Sequence, residues 1–393
     1  MSTDRLARWL LPKELIIKRV HNLSNWGTKI VCEKQKIPEV CPSCGNLSNR
    51  THEYKTVTIR DEPIRGQDVI LEITKRRLWC KPCKKPFTEP LDKVPKGHRT
   101  TRNYKRGMCW AADRFHTLKE VRKNYRCSYN ILYQAVYENY RKKLKERSYP
   151  WPKFIGIDEH SIKKIKYCPV EFATVFVDHK NKRAFDLVEG KTLKLLDPIA
   201  HAIPGKENVK AVSMDCSTTY KSFVKSHFPN AKIVADRFHI QRLFNRIVNK
   251  LRLRITGDDR KNPIRNLLLR NSEKLEWYEK RAINKFLNFH PDLREAYLAK
   301  EAIFRFYRVK GIKRAKRSFS NILKKLSISK VPLLTSLRKT LVAWHTEIIN
   351  FHRIKINNGR TEGFNRKAKL VQRRAYGYRN FDNYRLAYLN ACM

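Results

Sequence analysis

Acidic residues are scarce in this chain. It has 36 Asp and Glu against 86 Lys and Arg over 393 residues, a formal net charge of +50. No apolar run approaches the ~20 residues of a membrane span. Met1–Leu11 carries Trp9, Leu10 and Leu11 but no signal-peptide core of sufficient length. Internal repeats and low-complexity tracts are missing too. These absences exclude a helical membrane protein and a disordered or solenoid chain, and they point to the cytosol. There, ten cysteines stay reduced and serve as metal ligands, catalysts or core residues rather than disulfides.

The basic excess is spread along the whole chain. Such a charge repels itself unless a polyanion neutralises it, and nucleic acid is the expected partner. A basic ribosome-associated protein or a cationic membrane-surface protein is the blander alternative. The length suits two or three domains with ample core.

Two CxxC pairs, Cys41/Cys44 and Cys80/Cys83, flank the strand-like segments YKTVTIRDEP and QDVILEITKRRLW. Each turn aims two thiolates at one point, and together they predict one closed, structural zinc site in a ribbon over residues 1–95. Cys32, Cys109, Cys127, Cys168, Cys216 and Cys392 stand alone and read mostly as core residues.

From His98 the period becomes helical. Thr117 and Glu120 form a capping box with Leu118 and Val121 on one face, and Ser128 is an N-cap. Ile131, Leu132, Ala135 and Val136 form the apolar stripe of the second helix. Asn130, Tyr133, Gln134 and Tyr137 face the other way, with Arg122, Lys123 and Arg126 nearby. The pattern predicts a DNA-binding helix-turn-helix over 96–148, against the alternative of a helical hairpin that only packs.

After SYPWPK the pattern turns α/β over 149–393. Strands are predicted at Phe154–Ile157, EFATVFVDHK, RAFDLVEG, Val209–Met214 and AKIVADRFH, with helices at Leu193–Ala202 and Thr218–His227. Strand-strand-strand-helix-strand-helix-strand is the order of the RNase H-like fold, here a five-stranded mixed sheet. In it Asp158 and Asp215 leave neighbouring parallel strands at matching ends. Adjacent carboxylates repel, and a divalent cation with hard oxygen preferences, Mg²⁺ or Mn²⁺, resolves the conflict. A lone strand-end Asp is more simply a helix cap. A basic, aromatic-dotted helical insertion is predicted at about 240–351. Beyond it Glu362 opens a helix rich in Arg360, Arg366 and Lys367, and is the one acidic residue between Glu347 and Asp382.

The cysteine pairs, GIDEHSIKK, ATVFVD, VSMDCSTTY, VADRFHI, RTEGFNRKAK and RAYGYRN together resemble the bacterial insertion-sequence transposases of the ISL-three family over essentially the full length. The resemblance implies a DDE triad of Asp158, Asp215 and Glu362 holding two Mg²⁺ or Mn²⁺ ions, with metal-dependent cleavage and strand transfer of DNA. The ribbon and helix-turn-helix would bind terminal inverted repeats. VADRFH resembles a D-x-x-H motif that makes Asp236 and His239 auxiliary residues, although a capping Asp236 and a packing His239 explain them as well. The partners implied are double-stranded DNA, transposon ends and target, and further copies of the chain on it. No membrane or small-molecule substrate is implied, and the place is the bacterial cytoplasm at the nucleoid. The alternatives are an RNase H-like nuclease or resolvase, or a non-catalytic DNA-binding relic.

Overall fold

The structure is a computed structural model that describes residues 11–24, 27–114, 117–147, 149–162, 172–257 and 262–392. Cys168 lies outside the described residues. The chain forms two compact units, Met1–Lys143 and Leu144–Met393. Among the described residues no helix is long and apolar enough to cross a membrane.

The first unit is built on strands β1 (Leu15–Asn22), β2 (Gly27–Lys34), β3 (Glu39–Val40), β4 (Leu47–Ser48), β5 (Thr51–Ile64), β6 (Gln67–Cys80) and β7 (Lys85–Thr88). The main sheet runs β1-β2-β6-β5, and β7 also pairs with β6. β5 and β6 form a long antiparallel hairpin closed from Ile64 to Gln67. Its two turn residues, Arg65 and Gly66, both have positive φ, 52° and 78°. That conformation matches the right-handed twist of the strands, and glycine adopts it without a Cβ penalty. Alternation along β6 buries Val69, Leu71 and Ile73 with Cys32, Ile59 and Leu15.

Three helices follow: α1 (Arg102–Arg114), α2 (Leu118–Tyr125) and α3 (Tyr129–Lys145). The capping box of Thr117 and Glu120 is present at α2, which ends on Arg126 in the left-handed region. The Ser128 hydroxyl accepts from the Ile131 amide at 3.4 Å. The buried stripe of α3 is Leu132, Ala135, Val136, Tyr137 and Tyr140. It is rotated from the expected one, leaving Ile131 exposed and Tyr137 buried. Tyr140 explains the rotation: its hydroxyl donates to Asp113 at 3.1 Å and draws that edge of the helix inward. Asp61 accepts from the Thr101 hydroxyl at 2.5 Å, and the Arg60 guanidinium donates to the Arg126 carbonyl at 2.7 Å. These bonds join sheet and helices into one body.

In the second unit β8 (Phe154–Ser161), β9 (Phe172–Asp178), β10 (Arg183–Glu189), β11 (Ala211–Met214) and β12 (Lys232–Ala235) form a sheet in the order β10-β9-β8-β11-β12. β8, β9 and β10 are antiparallel, whereas β8, β11 and β12 run parallel in register. Both faces are covered, so β9 is buried from Ala173 to Asp178 and, apart from Thr174 and Asp178, apolar there. Helices α4 (Leu193–Ala202) and α5 (Thr218–His227) bury Leu196, Ala200, Tyr220 and Phe223 against Ile155, Ile157 and Val212.

Between β12 and the closing helices lie α6 (Arg237–Thr256), α7 (Pro263–Leu269), α8 (Trp277–Asn288), α9 (Pro291–Phe306), α10 (Ile312–Ser327), α11 (Pro332–Ala343) and α12 (His345–Ile354). They enclose their own core around Phe244, Phe306, Phe319 and Leu341. The closing helices are α13 (Gly359–Arg374) and α14 (Phe381–Ala391). Ala368, Tyr384 and Tyr388 from these pack on Val175, Val177 and Leu187, the sheet's other face.

Candidate active site and zinc site

The four cysteine thiols of the two CxxC turns meet, with every Sγ within 4.8 Å of the others. Cys41 and Cys83 are 3.9 Å apart, and Cys44 and Cys80 3.5 Å. Tetrahedral ligands at ~2.3 Å from a zinc ion have this spacing. Each pair sits on a hydrogen-bonded knuckle. The Cys41 amide donates to the Asn46 carbonyl and the Gly45 amide to the Cys41 carbonyl, at 2.8 and 2.9 Å. Backbone N–H donation at Asn46 lowers the Cys44 thiol to about 6, while its hydrogen bond with Cys44 raises Cys83 to about 12. Thiols this close cannot all ionise by themselves, and a cation lets them. The donor set therefore fits structural zinc. The remaining described cysteines take no part. Cys32, Cys127 and Cys392 are buried core residues, and Cys109 and Cys216 are half-buried.

The second site lies where the parallel strands end. The β8–β11 ladder stops at Ile157 and Met214. Asp158 and Asp215 are the next residues, as expected from the sequence. Asp158 does not end its strand, however. β8 runs on to Ser161, with Asp158 opposite Val175 of β9. Leaving the parallel ladder, rather than leaving the strand, frees its side chain. Burial, then the charge of Asp215, pushes Asp158 up to about 7.

Asp236 follows β12 and adds a third carboxylate. It caps α6, accepting from the His239 amide at 3.1 Å, and accepts from the Asn358 amide at 3.3 Å. Burial and the charge of Asp215 raise it as well. The His239 imidazole Nδ1 lies 3.0 Å from Asp215 Oδ2, and this hydrogen bond holds its affinity for a proton above the ordinary value. Asp236 thus is a cap, and His239 does more than pack.

Glu362 lies 147 residues beyond Asp215 (362 − 215), yet α13 returns to the same place. The Asn350 side chain donates to the Ile233 carbonyl at 2.9 Å. Asn358, just before α13, donates to the Ile157 carbonyl at 2.9 Å and accepts from the Ser213 and Thr361 hydroxyls at 2.8 and 2.9 Å. Ser213 in turn meets His179 Nε2 at 2.7 Å. The insertion therefore leaves the sheet after Asp236 and rejoins it beside the same residue. Gly156 permits the close approach: a Cβ there would lie 2.4 Å from the Thr361 hydroxyl and 2.7 Å from His179.

The Glu362 carboxylate itself faces out. Its side chain is 52% exposed and pairs with Arg366 at 3.4 Å. One turn on, Asn365 Nδ2 donates to Asp158 Oδ2 at 2.7 Å. The structure thus brings Asp158, Asp215 and Asp236 together, with the helix of Glu362 against them and its carboxylate turned away. Asn358 and Asn365 were not foreseen from the sequence, and NNG and EGFN carry no pattern that marks them.

The residues expected to meet DNA divide. Lys123, Asn130 and Gln134 are exposed. The Arg122 guanidinium lies 4.8 Å from the centre of the Tyr129 ring, and Arg126 lies 3.7 Å from Asp68. Arg360 donates to the His179 carbonyl, while Arg366 and Lys367 are exposed.

The family described as "Transposase" in its ISL-three, DDE form matches residues 155–388, which include Asp158, Asp215, Asp236 and Glu362. The family described as "zinc-finger of transposase IS204/IS1001/IS1096/IS1165" matches residues 37–83, the two knuckles and the hairpin between them. A curated relative, the "Transposase for insertion sequence element IS1001" of Bordetella parapertussis, is 24% identical over 352 residues, 87% of this chain and 86% of its own length. With the thiol cluster and the carboxylates beside the parallel ladder both inside matched regions, the chain belongs to the ISL-three family of DDE transposases, enzymes of DNA transposition.

Proposed function

We propose that this chain binds the terminal inverted repeats of its own insertion sequence, cleaves the DNA there, and joins the freed end to a target. The catalytic unit is taken as RNase H-like, on its five-stranded order and two flanking layers. The observation that carries the reading is the convergence of Asp158, Asp215 and the helix of Glu362 at the open end of three parallel strands.

Asp158, Asp215 and Glu362 are the residues that would hold Mg²⁺ or Mn²⁺. Hard oxygen donors that repel one another fit that group. Two such cations, when bound, stabilise the charge on attacking and leaving oxygens at a phosphodiester. In the chemistry, a water oxygen attacks the scissile phosphorus and the 3′-oxygen departs. The resulting 3′-hydroxyl then loses its proton as it attacks the phosphorus of a target phosphodiester, the target strand's own 3′-oxygen leaves and takes up a proton, and no bond to protein forms. His239 keeps Asp215 oriented, and Asp236 fixes both the start of α6 and the approach to α13. Glu362 reaches the site by leaving Arg366. An exposed i,i+4 pair of this kind is worth only ~0.3–0.5 kcal/mol, so the turn costs little.

The three helices after the ribbon are taken as a helix-turn-helix, with Asn130 and Gln134 of α3 reading base edges and Lys123 on phosphate. Arg366 and Lys367 would hold DNA at the active site, several copies of the chain acting together on it. The test is to mix the purified protein with a labelled duplex carrying the element's end, a plasmid target and Mg²⁺. Cleavage and joining are expected. Cleavage without joining of a pre-cut end would make it a nuclease or resolvase, and binding without either a relic.

A further inference from the structure

We propose that Asn365 is a ligand of the divalent cation in this site, its amide oxygen joining the Asp158 carboxylate. The inference rests on the reading of Asp158, Asp215 and Glu362 as cation-binding carboxylates.

Asn365 stands three residues beyond Glu362 on α13, so the two are neighbours on one face of the helix. Its Nδ2 donates to Asp158 Oδ2 at 2.7 Å and to the Glu159 carbonyl at 3.4 Å. Its Oδ1 is buried and finds no donor among the described residues. Nearly all buried side-chain polar atoms have partners, and an orphan next to a functional carboxylate asks for one.

The chemistry of the amide supplies it. An amide offers a donor end and an acceptor end on one planar group. Without a cation, the donor end serves Asp158 and eases the crowding of Asp158, Asp215 and Asp236. With a cation, Asp158 needs no donor. A half-turn about the Cβ–Cγ bond then exchanges the ends and presents Oδ1, a hard neutral oxygen of the kind these cations accept. The same group thus serves both states, and the orphaned oxygen is the unused half of it. Glu362 and Asn365 would arrive on the cation together, a turn apart.

The rival is that Asn365 only orients Asp158 by donating to it. The substitutions N365A and N365D separate the two roles, because a carboxylate can ligate but cannot donate to Asp158. The experiment titrates Mn²⁺ into full-length, zinc-loaded, Mg²⁺-free protein and follows free Mn²⁺ by its electron paramagnetic resonance. N365A is expected to weaken Mn²⁺ binding by about tenfold or more, while N365D binds at least as tightly as the parent. Parental affinity in N365A overturns the inference, and so does N365D binding as weakly as N365A. D158N is the reference. If D158N weakens Mn²⁺ binding and N365A does not, this inference alone falls. If D158N binds like the parent, the active-site reading beneath it falls.

Discussion

The thiol cluster and the carboxylate cluster proposed to hold a cation differ in how finished they are. In the N-terminal unit four thiols already surround one point, on knuckles held by their own backbone bonds. In the C-terminal unit three aspartates crowd where the parallel ladder stops while Glu362 points to solvent, paired with Arg366. A closed set of soft ligands suits a structural ion that never has to exchange ligands. An open set of hard ligands suits a site that must admit phosphodiesters and let them go. The glutamate's helix is docked through Asn358 to β8, β11 and Asp236, while its carboxylate stays with Arg366.

The contrast breaks most visibly at the ribbon. Replacing Cys80 and Cys83 with Ser should take zinc from one per chain to none. A structural zinc site is worth on the order of 10 kcal/mol to its fold, so residues 37–83 should also lose protection from hydrogen exchange. Zinc content unchanged by the double substitution, measured by elemental analysis, would contradict the closed site.

A smaller effect is expected where the same unit meets DNA. Asn130→Ala with Gln134→Ala should weaken binding to the element's end by roughly 1–3 kcal/mol for each base no longer read, leaving random duplex little affected. Equal weakening of both, in gel-shift titrations at fixed salt, would reduce α3 to a phosphate-binding helix.

The carboxylate site should show its strain as stability. Asp158 lies at about 7 in the folded chain against an ordinary 3.8. Its charged form is therefore penalised on folding. The penalty is absent below about pH 4, grows as pH rises toward 7, and is constant above. In Mg²⁺-free buffer at pH 8, Asp158→Asn should stabilise the protein by on the order of 1–2 kcal/mol, after a discount for solvent. The gain should fade as pH falls toward 4. A destabilised Asp158→Asn at pH 8, in denaturant melts, would mean that no such crowding exists.

What the sequence made legible follows the range of the interactions. α4 and α5 span Leu193–Ala202 and Thr218–His227, where local periodicity puts them, although the cap of α5 is Ser217 rather than Asp215. The CxxC turns declare their ligands within four residues. The phase of α3 departs from its local apolar pattern because Tyr140 answers to Asp113, 27 residues away. Asp158 stays in its strand because β9 pairs beyond the point where β11 stops. Asn358 and Asn365 reach across 145 and 207 residues to Ser213 and Asp158, and no local pattern encodes an interaction of that span. The carboxylates were readable as charges at the ends of apolar runs. The side chains that position them were not, since an Asn in a basic helix looks like any surface residue.

Glu362, outward in this structure, is proposed as the third carboxylate of the active site in place of Asp236. Cleavage of an end-bearing duplex in Mg²⁺ or Mn²⁺ tests it directly, comparing Glu362→Gln with Asp236→Asn and scoring end binding in metal-free buffer alongside. Glu362→Gln is expected to abolish cleavage while binding stays near the parental level, with Asp236→Asn milder. Full cleavage by Glu362→Gln, with Asp236→Asn inactive, would contradict it and leave α13 as a DNA-binding helix beside a site of three aspartates.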